Sequence, residues 1–81
     1  MSYYVYILKS RRTGKFYIGQ TQKIETRLTY HNSGYNKSTK SGRPWELVFK
    51  QEFETRYESV QFESKLKSMK SHSYIENLIH H

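Results

Sequence analysis

Residues 3–19, YYVYILKSRRTGKFYIG, decide the fold because they predict two strands joined by a tight turn. The segment 3–10 is dense in β-branched and aromatic residues, which favours a strand. RRTGK at 11–15 supplies turn chemistry, and FYIG at 16–19 is expected to return antiparallel to the first strand. Strand one offers apolar or aromatic side chains on both faces, which indicates a central strand covered on both sides.

Two tyrosines of this hairpin are expected to share a face of the sheet. If the loop holds an even number of residues, 11–14, Tyr17 lies opposite Leu8 and diagonal to Tyr6, within aromatic reach. Tyrosine pairs of this kind most often serve packing. Gly19 closes the second strand and lets another part of the chain approach closely.

The remaining chain predicts one more strand and three helices, the last of them short. The first helix has Thr21 as its N-cap, and Gly34 ends it in the left-handed conformation. The expected elements are a helix at 22–32, a surface loop at 35–44, a strand at 45–53, a helix at 57–70 and a short helix at 73–79. The order β-β-α-β-α-(α) predicts an α+β fold, a three-stranded antiparallel sheet flanked by helices. One domain spans 1–81, and residues 79–81 are expected to be disordered or tag-derived.

The first predicted helix carries a guanidinium and an imidazole on its apolar stripe. Residues three or four apart share a helix face, so Arg27 and His31 fall on the stripe of Ile24 and Leu28. Either both side chains snorkel outward from the edge of the stripe, or the stripe borders a cleft that receives an anion.

The second predicted helix carries a carboxylate among apolar residues. Those spaced to share one face are Tyr57, Phe62, Leu66 and Met69. Glu63 falls between Leu66 and Val60, where it either pairs with a buried base or binds a hard cation.

The charge of the chain is strongly basic and unevenly placed. Fourteen Lys and Arg oppose seven Asp and Glu, a net charge of +7, and the first 50 residues hold ten basic and two acidic ones. Together with eight tyrosines, this favours a polyanionic partner, most often nucleic acid, although basic charge can also serve solubility alone.

The composition also excludes some classes of protein. The absence of cysteine rules out disulfides, a thiolate nucleophile and Cys-ligated zinc, and it fits the reduced cytosol. No apolar run is long enough to cross a bilayer and no signal peptide follows Met1, so a cytoplasmic protein is expected.

Four short motifs in order carry a family resemblance: YVY at 4–6, YIG at 17–19, RLTYHNSG at 27–34 and FESKLK at 62–67. Together they resemble a GIY-YIG endonuclease domain, in particular the small stand-alone members related to the nuclease half of the bacterial excision-repair incision subunit. The resemblance covers essentially the whole chain. One departure is Tyr4, which stands where the first motif has glycine.

The resemblance implies an active site made of Tyr6, Tyr17, Arg27, His31 and Glu63. Glu63 would hold one Mg²⁺ or Mn²⁺, and Arg27 would stabilise the charge that develops on the phosphate. Tyr6 is assigned as the general base with Tyr17 orienting water or phosphate, and the reverse assignment stays open. His31 would relay the proton or hold a phosphate.

The function implied is metal-dependent hydrolysis of DNA phosphodiesters in repair or processing. The basic residues expected to contact DNA phosphates without reading bases are Arg11, Arg12, Lys37, Lys40 and Arg43. We expect structured or branched DNA with low sequence specificity, a separate targeting protein, and a monomer or weak dimer. Two alternatives are a catalytically weak nucleic-acid-binding module of this fold and an interaction protein with incidental charge.

Overall fold

Three antiparallel strands form the centre of the computed structural model, which describes residues 2–69 and 71–80. The elements are β1 (Tyr3–Ser10), β2 (Phe16–Thr21), α1 (Ile24–Ser33), α2 (Lys37–Lys40), β3 (Trp45–Phe53), α3 (Arg56–Met69) and α4 (His72–Ile79). The strand order is β2-β1-β3, so β1 is the central strand. The predicted α+β class, the antiparallel sheet and the order of elements are confirmed.

The register of the hairpin follows from the length of its loop. Ser10 N donates to Lys15 O, which closes a four-residue loop, and Tyr17 lies opposite Leu8 as predicted. Tyr6 lies opposite Gly19. Because side chains alternate along a strand, Tyr6 and Tyr17 emerge on the same face.

The two faces of β1 feed two separate clusters of apolar side chains. Val5 and Ile7 pack with Leu66 of α3 and Ile75 of α4. The other face carries Tyr6 and Leu8, which pack with Trp45, Ile24 and Leu28. Burial on both sides explains why β1 shows no alternation of apolar and polar residues.

The first helix begins later than the sequence suggested. The predicted N-cap, Thr21, is the last residue of β2, and the N-cap is Lys23, whose side chain makes no capping bond. Thr21 Oγ1 instead accepts the backbone N–H of Lys23 at 3.1 Å, which turns the chain from strand to helix. The end of α1 is as predicted, since Gly34 takes the left-handed conformation with φ 87°.

The segment 35–44, predicted as a loop, contains the one-turn helix α2. Asn36 caps it by accepting the backbone N–H of Ser38 at 3.0 Å. Thr39 in its third position is buried, and the Trp45 indole donates to the Thr39 carbonyl at 2.7 Å. A helix this short has no apolar periodicity, so nothing in the sequence pattern marks it.

The apolar face of α3 differs from the predicted one. Tyr57 is 72% exposed and Met69 46% exposed, whereas Ser59 and Leu66 are buried. Tyr57 precedes Leu66 by two and a half helical turns, which places the two side chains on opposite sides of α3.

The end of the chain forms α4, which agrees with the predicted short helix. Ile79, expected to belong to a disordered or tag-derived end, is the last residue of α4 and packs against the core. His80 Nε2 lies 3.2 Å from the Glu76 carboxylate, and His81 lies outside the described residues. Within residues 2–69 and 71–80, no helix has both the length and the hydropathy needed to span a bilayer.

We predict that Gly19→Ala destabilises the protein by about 1–3 kcal/mol, the usual cost of overpacking. A Cβ at this position would lie 2.6 Å from the Tyr6 hydroxyl oxygen and 2.8 Å from its ring carbon Cζ. Urea unfolding of the two proteins measures the cost. In a Tyr6→Leu background the same substitution should cost clearly less, and an equal cost in both backgrounds would contradict the contact.

Candidate functional site

A chain of buried hydrogen bonds joins the sheet to α1 and α2. Tyr6 Oη lies 3.1 Å from His31 Nε2, and His31 Nδ1 lies 3.1 Å from Thr39 Oγ1. The Thr39 hydroxyl donates to the Asn36 carbonyl at 3.4 Å, so it accepts the Nδ1–H of His31. The lone pair on Nε2 is then free to accept the hydroxyl hydrogen of Tyr6.

Tyr17 completes an aromatic cluster around this imidazole. Its ring centroid lies 4.6 Å from that of His31 and 6.4 Å from that of Tyr6. Trp45 meets the Tyr17 ring edge-on at 6.3 Å. The structure therefore brings together Tyr6, Tyr17 and His31, three of the five side chains that the sequence assigned to the site.

Burial controls the protonation of this cluster. Burial raises the pKa of Tyr6 well above its usual value, and the neighbouring Tyr17 adds to the rise. The pKa of His31 is lowered, first by burial and then by the positive charge of Arg27. At neutral pH the pair is a protonated phenol donating to a neutral imidazole.

Arg27 does not share the burial of His31. His31 is 1% exposed, so it does not snorkel outward, whereas Arg27 is exposed at the rim of the cluster. The Arg27 guanidinium lies 5.3 Å from the ring centroid of Tyr30. Its charge still acts on the cluster, because it opposes the rise in the pKa of Tyr6.

Glu63 lies across the sheet from the aromatic cluster. Gln20 Nε2 donates to Glu63 Oε1 at 2.9 Å, and Ser59 donates to the Gln20 side-chain oxygen at 3.0 Å. Lys67 Nζ lies 3.0 Å from Glu63 Oε2. Glu63 is not part of the aromatic cluster, but its negative charge contributes to the raised pKa of Tyr6.

An open cleft of about 560 Å³ lies at the carboxyl end of β2. Helices α1 and α3, on opposite faces of the sheet, both reach it, and Lys23, Arg27 and Arg56 line it. Gln20 also lines it and bonds to the Glu63 carboxylate, which is not itself among the lining residues. A concave surface with three cations is suited to a phosphate ester.

Gln20, Arg56 and Ser59 were missed by the sequence analysis. Gln20 directly follows the YIG motif, and this position is the only signal that could have marked it. Arg56 and Ser59 carry no such signal. How α3 is rotated over the sheet determines that Ser59 bonds to Gln20 and that Arg56 lines the cleft.

The residues predicted to contact DNA divide into two groups. Arg12, Lys40 and Arg43 line a second cleft of about 360 Å³. Arg11 is paired with Glu46, with 3.6 Å between Nε and the carboxylate. Lys37 is exposed at the start of α2 and lines neither cleft.

The donor atoms near the first cleft fit one kind of metal ion. Among the described residues, no three His, Cys, Asp or Glu side chains are grouped to hold a metal. Glu63 supplies a single carboxylate, 15% exposed and oriented by Gln20. Mg²⁺ and Mn²⁺ prefer oxygen ligands, and Mg²⁺ takes most of its ligands from water and substrate phosphate, so a single carboxylate near a cationic cleft fits such an ion.

Comparison with known proteins leads to one family. Residues 2–75 match the family model described as GIY-YIG catalytic domain. The UPF0213 protein SSP2268 of Staphylococcus saprophyticus is 37% identical over 67 residues, which cover 82% of this chain and 80% of that protein. The UPF0213 protein YazA of Bacillus subtilis is 35% identical over 79 residues, covering 93% and 79%. The solution NMR structure of the UPF0213 protein BH0048 from Bacillus halodurans is 32% identical, with a TM-score of 0.61 and coverage of 98% and 83%.

We predict that the free energy of unfolding falls as the pH drops below about 6.5, the ordinary pKa of histidine. His31 stays neutral in the fold at pH values where the unfolded chain binds a proton, so acid favours unfolding. Urea unfolding across this range should show that His31→Gln loses the dependence and the exposed control His72→Gln keeps it. The pKa of Glu76 is lowered from 4.5, so its protonation affects the free energy of unfolding only in more acidic solution. An unchanged pH dependence in His31→Gln would contradict the assignment.

Proposed function

The chain belongs to the GIY-YIG catalytic domain family, and on this premise we propose that it is a metal-dependent endonuclease that hydrolyses DNA phosphodiester bonds. The family implies a nuclease-type function with a nucleic acid substrate. The observation that carries the finer proposal is the Tyr6 hydroxyl held 3.1 Å from a neutral, buried His31, within electrostatic reach of Arg27.

The scissile phosphate binds in the cleft at the end of β2. Arg27 is suited to stabilise the charge that builds on the non-bridging oxygens, since its guanidinium donates in a planar fork. Arg56 reaches the same cleft from α3 and would hold the same or a neighbouring phosphate. Lys23 adds a third positive charge at its edge.

Tyr6 acts as the general base through His31. A phenol with a raised pKa supplies no phenolate at neutral pH, but it can take a proton from water while passing its own proton to Nε2. The Thr39 hydroxyl holds His31 in the tautomer that this transfer needs. His31 is therefore a positioning and proton-accepting residue behind Tyr6.

Tyr17 orients the attacking water or the phosphate. Its side chain is less buried than that of Tyr6, so it is the phenol more open to solvent. The assignment of Tyr6 as base rests on its proton acceptor, which lies at hydrogen-bond distance.

Glu63 would hold the divalent ion. Its carboxylate is oriented by Gln20, and the Lys67 ammonium that it pairs with is 57% exposed and free to swing away. The ion, when bound, neutralises charge on the phosphate oxygens.

A second candidate function is nucleic-acid binding without cleavage. One observation favours it, the ion pair at 3.0 Å between Glu63 and Lys67, which competes with a metal for the carboxylate. In either case we propose structured or branched DNA as the ligand and a role in DNA repair or processing. We expect low sequence specificity, because phosphate contacts by exposed cations carry no sequence information.

We predict that Arg27→Ala and Glu63→Ala each lower the cleavage rate by about 10²–10³-fold or more and leave the fold intact. The assay is a panel of branched and linear DNAs with Mg²⁺ or Mn²⁺, with unfolding curves to check folding. The matched controls are the exposed Lys65→Ala and Glu54→Ala. Wild-type rates in the Arg27 and Glu63 variants would refute these roles, and binding without cleavage by the native chain would favour the second candidate.

We predict that His31→Gln lowers kcat by about 10²-fold or more and removes the acid limb of the rate–pH profile, with KM nearly unchanged. In the native protein the cleavage rate falls at low pH, because a protonated His31 Nε2 cannot accept the proton of Tyr6. Thr39→Val, which removes only the tautomer-fixing hydroxyl, should give a smaller loss. A variant that keeps the native acid limb would contradict the relay.

A further inference from the structure

Tyr35 is an aromatic side chain that the fold leaves in solvent. It is 80% exposed, whereas the tyrosines of the aromatic cluster are buried or half-buried. Gly34, with φ 87°, turns the chain out of α1 at this point. The Tyr35 backbone N–H donates to Ser33 Oγ at 3.3 Å, which closes a local turn at the end of α1.

A guanidinium lies beside the residue that precedes this ring. A Cβ at Gly34 would lie 2.8 Å from Arg43 Nη1, so Arg43 packs directly against Gly34. Arg43 Nε donates to the Lys40 carbonyl at 2.9 Å, which fixes the guanidinium there. Tyr35 directly follows Gly34 in the chain, so its exposed side chain is attached one residue from the position against which this guanidinium packs.

The second cleft holds cations that have no acidic partner in the part of the chain that the structure describes. Arg12, Lys40 and Arg43 line it with Asn32 and Pro44. Within residues 2–69 and 71–80, the ion pairs of the protein involve none of these three cations. The Asn32 side chain is already engaged with the backbone of Trp45, so the cleft offers positive charge to an incoming anion.

We propose that Tyr35 and this second cleft form a binding site for unpaired nucleotides, separate from the cleft at the end of β2. The Tyr35 ring stacks on a base, and Arg12, Lys40 and Arg43 hold the adjoining phosphates. A base within a duplex has both faces covered by its neighbours, so only an unstacked base can accept the ring. The inference deepens the proposed function, since it assigns this surface to the single-stranded part of a branched substrate.

The test measures Kd by fluorescence anisotropy in a metal-free buffer, so that no cleavage occurs. The probes are a short labelled oligothymidine and a blunt duplex of the same length. We expect Tyr35→Ala to weaken binding of the single strand about tenfold and to leave the duplex nearly unchanged. Tyr35→Phe keeps the ring and should bind as the native chain does.

Tyr57→Ala is the matched control, because Tyr57 is 72% exposed and lies on α3 away from the second cleft. Arg43→Gln should weaken both probes and lower the salt slope by about one. Native single-strand affinity in Tyr35→Ala, or an equal loss for both probes, would overturn the inference and leave the nuclease proposal standing. A native chain that binds neither probe would overturn both.

Discussion

The hydrogen-bond chain from Tyr6 through His31 to Thr39 is the constraint on which the other parts of the site depend. A buried imidazole is tolerated only when both ring nitrogens have partners, and here the partners come from β1 and α2. Among the described residues, no buried side-chain nitrogen or oxygen is left without a hydrogen bond. The short helix α2 supplies the Thr39 hydroxyl that pairs with His31 Nδ1. The Trp45 indole bonds to the Thr39 carbonyl and so fixes α2 to β3.

The edge strand β2 contacts both halves of the candidate site, because its side chains alternate between the two faces of the sheet. Tyr17 and Gly19 belong to the face covered by α1, whereas Gln20 extends to α3 and bonds to Glu63. The site therefore wraps around the edge of the sheet instead of lying on one face. The phenols lie on one side and the carboxylate on the other, and the cleft at the end of β2 is lined from both faces, by Arg27 of α1 and Arg56 of α3.

Much of this arrangement could be predicted from the sequence, and the exceptions share a physical cause. The four-residue loop determines the register of the hairpin, and because side chains alternate in direction along a strand, that register places Tyr6 and Tyr17 on one face. Spacing along α1 places His31 on the apolar stripe of the helix, although it does not decide between burial and snorkelling. Spacing cannot determine how a helix is rotated over the sheet. For this reason it left open whether Arg27 snorkels outward or borders a cleft, and it wrongly placed Tyr57 on the apolar face of α3. Arg56 could not be predicted for the same reason, since its place in the cleft depends on where α3 begins and how it is rotated over the sheet.

The position of Trp45 makes this network visible to spectroscopy. It is the one tryptophan of the chain, it is 8% exposed, and its indole bonds to the residue that orients His31. An indole shielded from water emits at shorter wavelength than a hydrated one. The native chain thus carries its own fluorophore. The wavelength of Trp45 emission reports, without any added label, whether the contact between α2 and β3 is intact.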